Sequence, residues 1–125
     1  GTGPELSKLK NLTNEKVILE NIEFTGLLSR TEIFKLMQRS KIFVHPSTFE
    51  GSGYVFAEAL VNGMNIVSFN VGYAQQHPKC FIAKDESECE KIIERLLSDE
   101  LEFNPVNMFP MIETINKYAS LYGID

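Results

Sequence analysis

The sequence predicts an α/β protein built on a parallel sheet. Three observations lead there. The run Ile42-Phe43-Val44-His45 is continuously rather than alternately apolar, as expected of a strand covered on both faces, and Asn65–Phe69 is a further strand candidate with Ile66 and Val67 at its centre. Segments with helical spacing separate the strand candidates, joined by short turns, which is the order of βα units. The length of 125 residues, with 43% hydrophobic and 23% charged residues, fits one globular domain rather than a disordered chain.

Each element has its own local reason. Pro4 suits the first position of a helix, and Leu6, Leu9 and Leu12 give that helix an apolar stripe that the Asn11–Asn14 cluster ends. Ile22-Glu23-Phe24-Thr25 reads as a strand closed by Gly26. Ser29-Arg30-Thr31-Glu32 is a capping box, and the helix it opens carries Ile33, Leu36 and Met37 on one face. After the strand ending at His45 and Pro46, the turn Phe49-Glu50-Gly51-Ser52-Gly53 leads into a helix predicted over Tyr54–Val61, with Gly63 placed to stop it. Asn65–Phe69 is the next strand, Val71–Lys79 a loop and Cys80–Ala83 a short strand. Asp85 and Glu88 cap a helix with Cys89, Ile92, Ile93, Leu96 and Leu97 at spacings of three and four. Asp99–Pro110 reads as a linker, and Met111–Tyr122 as a last helix whose face Ile112, Ile115, Ala119 and Tyr122 is expected to cover the core. The domain expected is therefore residues 1–98, with 99–125 as a linker and helix packing on it.

Charge and cysteines narrow the function. Net charge is −5 and the twelve basic residues are scattered, so no nucleic-acid partner is expected. Cys80 and Cys89 lack the Cys/His partners of a zinc motif and are expected to be reduced thiols in a cytoplasmic protein. No apolar run approaches the roughly twenty residues of a membrane span, and no signal peptide is expected. A peripheral position at a membrane is compatible with this for a longer protein.

The segment Pro46–Glu58 has the parts of an anion site. Gly51 and Gly53 let the backbone approach a ligand closely, and the following helix offers its first N–H groups and its positive dipole end. Glu50 precedes that helix and Glu58 lies near its second turn. Carboxylates there would accept hydrogen bonds from hydroxyls rather than hold phosphate. The chemistry alone leaves a plain alternative open, because Glu near a helix start has a dipole explanation and Glu-Gly-x-Gly can be an ordinary turn. The segment is neither a G-x-G-x-x-G fingerprint nor a P-loop. His45 ends its strand and reads as a structural histidine, and His77 as an exposed one.

The run His45-Pro46-Ser47-Thr48-Phe49-Glu50-Gly51-Ser52-Gly53-Tyr54-Val55-Phe56-Ala57-Glu58-Ala59-Leu60-Val61-Asn62-Gly63 closely resembles the E-x7-E segment of GT-B glycosyltransferases. The likeness is to their large retaining group-1 type, which builds cell-surface glycans. It extends outward over roughly residues 1–98, to a Gly-x-Gly-Pro-Glu turn at Gly1–Glu5 and to the strand Asn65–Phe69. The resemblance implies an incomplete C-terminal, Rossmann-like domain that binds a nucleotide-diphosphate sugar, with metal-independent transfer, no cofactor and retention. It implies a catalytic role on donor-sugar hydroxyls for Glu50 and ribose contact for Glu58. It places the diphosphate near Ser52, Gly53, Tyr54 and Val55, and the nucleobase near Gly26 and Leu27.

Departures from the pattern shape further expectations. Ser52 replaces the usual Phe. Gly72-Tyr73 with Gln75 and Gln76 replaces the usual Gly-Gly and Glu, which puts that loop's role in doubt. The Arg/Lys pair that meets the diphosphate in the family and the N-terminal acceptor domain would lie upstream of Gly1, so this chain alone is expected to turn over little or nothing. The family strand order 3-2-1-4-5-6 then predicts a small four-stranded remnant with an exposed or oligomer-paired edge, in which Ile22–Thr25 pairs directly with Lys41–His45 or moves elsewhere, or a partner chain supplies cover. A non-catalytic binding module of the same fold, or an epimerase of GT-B architecture, is the alternative.

Overall fold

The computed structural model describes residues 2–15, 21–72, 74 and 77–122. It divides into two compact units, residues 1–35 and 36–125, each described by itself. Tyr73, Gln75 and Gln76, the residues that depart from the family pattern after Asn65–Phe69, lie outside the described residues.

The first unit holds α1 (Leu6–Glu15) and the start of α2 (Arg30–Gln38). α1 runs through the Asn11–Asn14 cluster that was expected to end it. The capping box forms as predicted: the Ser29 hydroxyl and backbone N–H donate to Glu32 Oε2 at 2.6 and 2.8 Å, and Glu32 N–H donates back to Ser29 Oγ at 3.4 Å. Those bonds favour the ionised form, so the Glu32 carboxyl titrates below its ordinary value. The expected strand at Ile22–Thr25 is absent, and so is its pairing with Lys41–His45. A strand exists only through the ladder bonds of a neighbour, and these four residues pair with none of the described strands.

The second unit carries β1 (Ile42–His45), α3 (Tyr54–Val61), β2 (Asn65–Ser68), β3 (Cys80–Ile82), α4 (Glu86–Ser98) and α5 (Met111–Tyr122). The three strands are parallel in the order β1-β2-β3. Among the described residues the sheet is therefore three-stranded, not four-stranded, with β1 at one edge. All four residues of β2 are buried. Its side chains alternate between faces. Ile66 joins Phe56, Ala59 and Leu60 of α3 in one apolar cluster, whereas Val67 joins Cys89 and Leu96 of α4 in another. Helices thus cover β2 on both sides, whereas β1, expected to be covered on both faces, leaves Val44 42% exposed. Phe56, Leu60, Ile66 and Val67 are fully buried. Each such side chain stabilises the fold by about 1.5–3 kcal/mol.

The stretch between α4 and α5 is more than a linker. Val106 N–H donates to Leu60 O at 2.9 Å, and Val106 and Met108 pack on the α3 cluster. Lys79 Nζ donates to Gly63 O and Asn104 O at 2.8 and 3.1 Å. α5 has the predicted bounds, but Met111, Ile112, Ile115, Tyr118, Leu121 and Tyr122 are exposed rather than packed on the core. Both cysteines are free thiols, and burial raises the Cys80 pKa to about 11. Among the described residues no helix is long and apolar enough to cross a membrane.

Candidate functional site

The site lies at the carboxyl end of β1, where ligands collect in open α/β sheets. Pro46 follows the strand directly, and the chain turns back through Ser47–Gly53 into α3. Ser47 Oγ donates to Phe49 O at 2.8 Å, which closes the first part of the turn. Gly53 is the N-cap of α3 in the left-handed region, with φ 66° and ψ 46°. A Cβ on Gly53 would stand 2.7 Å from the ring of Phe56, a fully buried side chain with no room to yield. Glycine is therefore required here on two independent grounds.

The consequence is an open helix start. No side chain caps the first turn of α3, where the Phe56 N–H donates to Gly53 O at 2.9 Å. Tyr54 and Val55 occupy that turn. Tyr54 is 65% exposed, and its ring meets Phe109 edge-on at 6.3 Å. Val55 is half-buried against the α3 cluster. Ser52 is half-buried, and Glu58 lies in the second turn, also half-buried.

Glu50 does not dangle in the loop. Its Oε1 lies 2.9 Å from His45 Nε2, and the two side chains are 30% and 20% exposed. An ionised carboxylate only accepts, so the ring must carry its proton on Nε2. Phe43 stacks on the His45 ring at 5.7 Å, and Phe56 meets it edge-on at 5.1 Å. The last residue of β1 thus anchors the first carboxylate of the motif. Sequence reasoning took His45 as structural. The signal available was a histidine before proline, five residues ahead of Glu50.

Gly72 was the second residue missed. Its φ is 52°, and a Cβ there would lie 2.9 Å from the Ser52 carbonyl oxygen. The loop after β2 therefore lies against the backbone of the Ser52-Gly53 turn and shapes it.

The structure brings Glu50, Ser52, Gly53, Tyr54, Val55 and Glu58 onto one turn and the helix it opens. Gly26 and Leu27 belong to the first unit. Gly26 makes the expected turn with φ 65°, and Leu27 is 87% exposed.

A match to the family described as glycosyl transferases group 1 spans residues 1–107. The chain belongs to that family. Among curated relatives it is similar to the phosphatidylinositol N-acetylglucosaminyltransferase gpi3 subunit of Schizosaccharomyces pombe, at 24% identity over 82% of this chain and 23% of the relative. It is also similar to the alpha-monoglucosyldiacylglycerol synthase of Streptococcus pneumoniae, at 27% identity over 58% of this chain and 17% of the relative. The chain spans less than a quarter of the length of either. No solved structure matches it significantly.

Proposed function

We propose that this chain is the donor-binding part of a glycosyltransferase. It takes part in transferring a sugar from a nucleotide-diphosphate sugar to a glycan, lipid or other acceptor, with retention. The observation that carries the reading is the uncapped start of α3 at Gly53, with the anchored Glu50 carboxylate in the turn before it. On this reading the N–H groups of Gly53, Tyr54 and Val55 face the diphosphate, so that part of the site requires no metal ion. Glu50 accepts from donor-sugar hydroxyls at the reacting sugar, and Glu58 accepts from the ribose. Both relatives' names contain a lipid, phosphatidylinositol in one and diacylglycerol in the other, which favours a lipid among the possible acceptors.

Isothermal titration of the chain with UDP-glucose, UDP-N-acetylglucosamine and GDP-mannose tests the reading. Wild type should bind at least one of them with a Kd on the order of millimolar or tighter, and Glu50→Ala and Glu58→Ala should each weaken it about tenfold. Binding that neither variant weakens would contradict the placement of the donor.

A further inference from the structure

We propose that His45 is a positioning residue of this site, holding the Glu50 carboxylate in the orientation that reads the donor sugar. The inference rests on the donor-site reading above and adds to it a residue outside the E-x7-E pattern. Glu50 lies in a turn containing two glycines, Gly51 and Gly53, where a free carboxylate would sample many rotamers. The 2.9 Å bond from His45 Nε2 removes that freedom at Oε1. It leaves Oε2, and the second lone pair of Oε1, for hydroxyl donors.

The histidine is itself fixed. It ends β1, whose register places it opposite Ser68 of buried β2. Its ring is held by Phe43 and Phe56, and Phe56 is fully buried beside the Gly53 turn. One rigid strand end therefore sets the position of a side chain carried by a loop. This arrangement suits a hydroxyl-reading carboxylate, because an acceptor already in place loses no rotamer freedom when the ligand arrives. A ring serving only as core filling would need no polar partner on the site side.

The two properties of the side chain separate by substitution. His45→Phe keeps a ring between Phe43 and Phe56 and removes the N–H. His45→Gln keeps an N–H donor and removes the ring. Titration with UDP-glucose, UDP-N-acetylglucosamine and GDP-mannose should show His45→Phe binding the preferred probe about tenfold more weakly, with His45→Gln recovering part of the loss. The thermal transition of each variant reports whether the fold is intact. The decisive step is a double-mutant cycle, in which His45→Phe on a Glu50→Ala background should change affinity by less than about twofold.

An equal loss from His45→Phe in both backgrounds would overturn the proposal, as would full affinity in the single variant. If His45→Phe does not fold, the cycle is run with His45→Leu, which also removes the N–H, with the same two outcomes. Wild type that binds none of the probes overturns the donor-site reading and this proposal together. A further readout stands apart from donor binding: nitrogen-15 NMR of the His45 ring should show the proton on Nε2, released in Glu50→Ala. A ring protonated only at Nδ1 would remove the bond on which the proposal stands.

Discussion

The starts of α2 and α4 differ from the start of α3, where the candidate site lies. At α4, Asp85 Oδ1 accepts from Glu88 N–H at 2.8 Å, and Glu88 Oε2 accepts from Lys84 N–H at 2.8 Å. At α2, Ser29 and Glu32 cap the start by bonding each other, Ser29 N–H to Glu32 Oε2 and Glu32 N–H to Ser29 Oγ. In both, the chain's own side chains occupy the positive end of the helix. At α3 the N-cap is Gly53, which has no side chain to offer and holds a conformation that favours glycine. The first two starts are closed for stability. The third is kept open, and the nearest carboxylate, that of Glu50, is tied to His45 in the turn ahead of it. A helix start left without its usual stabilisation is what a ligand-binding end requires.

The largest effect should come from closing the open start. Gly53→Ala meets both the left-handed backbone and the buried Phe56 ring, and should destabilise the chain by about 2–4 kcal/mol. A urea melt measures it, and a loss under about 0.5 kcal/mol would mean that the turn simply rearranges.

Opening a closed start should cost less. Asp85→Ala removes one cap bond and should lower stability by about 1 kcal/mol, with donor binding unchanged. A comparable loss of donor affinity would break the distinction between the two kinds of start.

The smallest effect is the pH response of α2. Hydrogen bonds from Ser29 lower the Glu32 pKa below its ordinary 4.5. The folded-state value is the depressed one, so its contribution is complete above 4.5 and disappears as pH falls through the folded value. The difference in thermal midpoint between wild type and Ser29→Ala should therefore shrink from pH 6 towards pH 3. A difference that grows on acidification would reverse the sign of the argument.

The same contrast explains what the sequence made legible. Ser29, Glu32, Asp85, Glu88 and Gly63 act within a few residues of themselves, so α2, α4 and the end of α3 could be read directly. The centre of β2 was legible because burial on both faces selects apolar residues there, whereas β1 reads just as apolar although its Val44 is exposed. Ile22–Thr25 has strand-like composition, yet a strand depends on a partner that composition does not name. Spacing likewise identifies the apolar stripe of α5 and not what covers it. Within the site, the glycines and carboxylates were visible as residue types. The His45–Glu50 bond and the approach of Gly72 to Ser52 were not, since both depend on how the chain reverses after Pro46.

The central claim is that the open start of α3 receives the donor's diphosphate. Backbone amide NMR during titration with UDP-glucose, UDP-N-acetylglucosamine and GDP-mannose tests it most directly. The account predicts that the largest shifts fall on the amides of Gly53, Tyr54 and Val55, while those of Glu86–Glu88 at the closed start of α4 stay in place. Shifts of equal size at both helix starts, or none at Gly53–Val55 on binding, would contradict it.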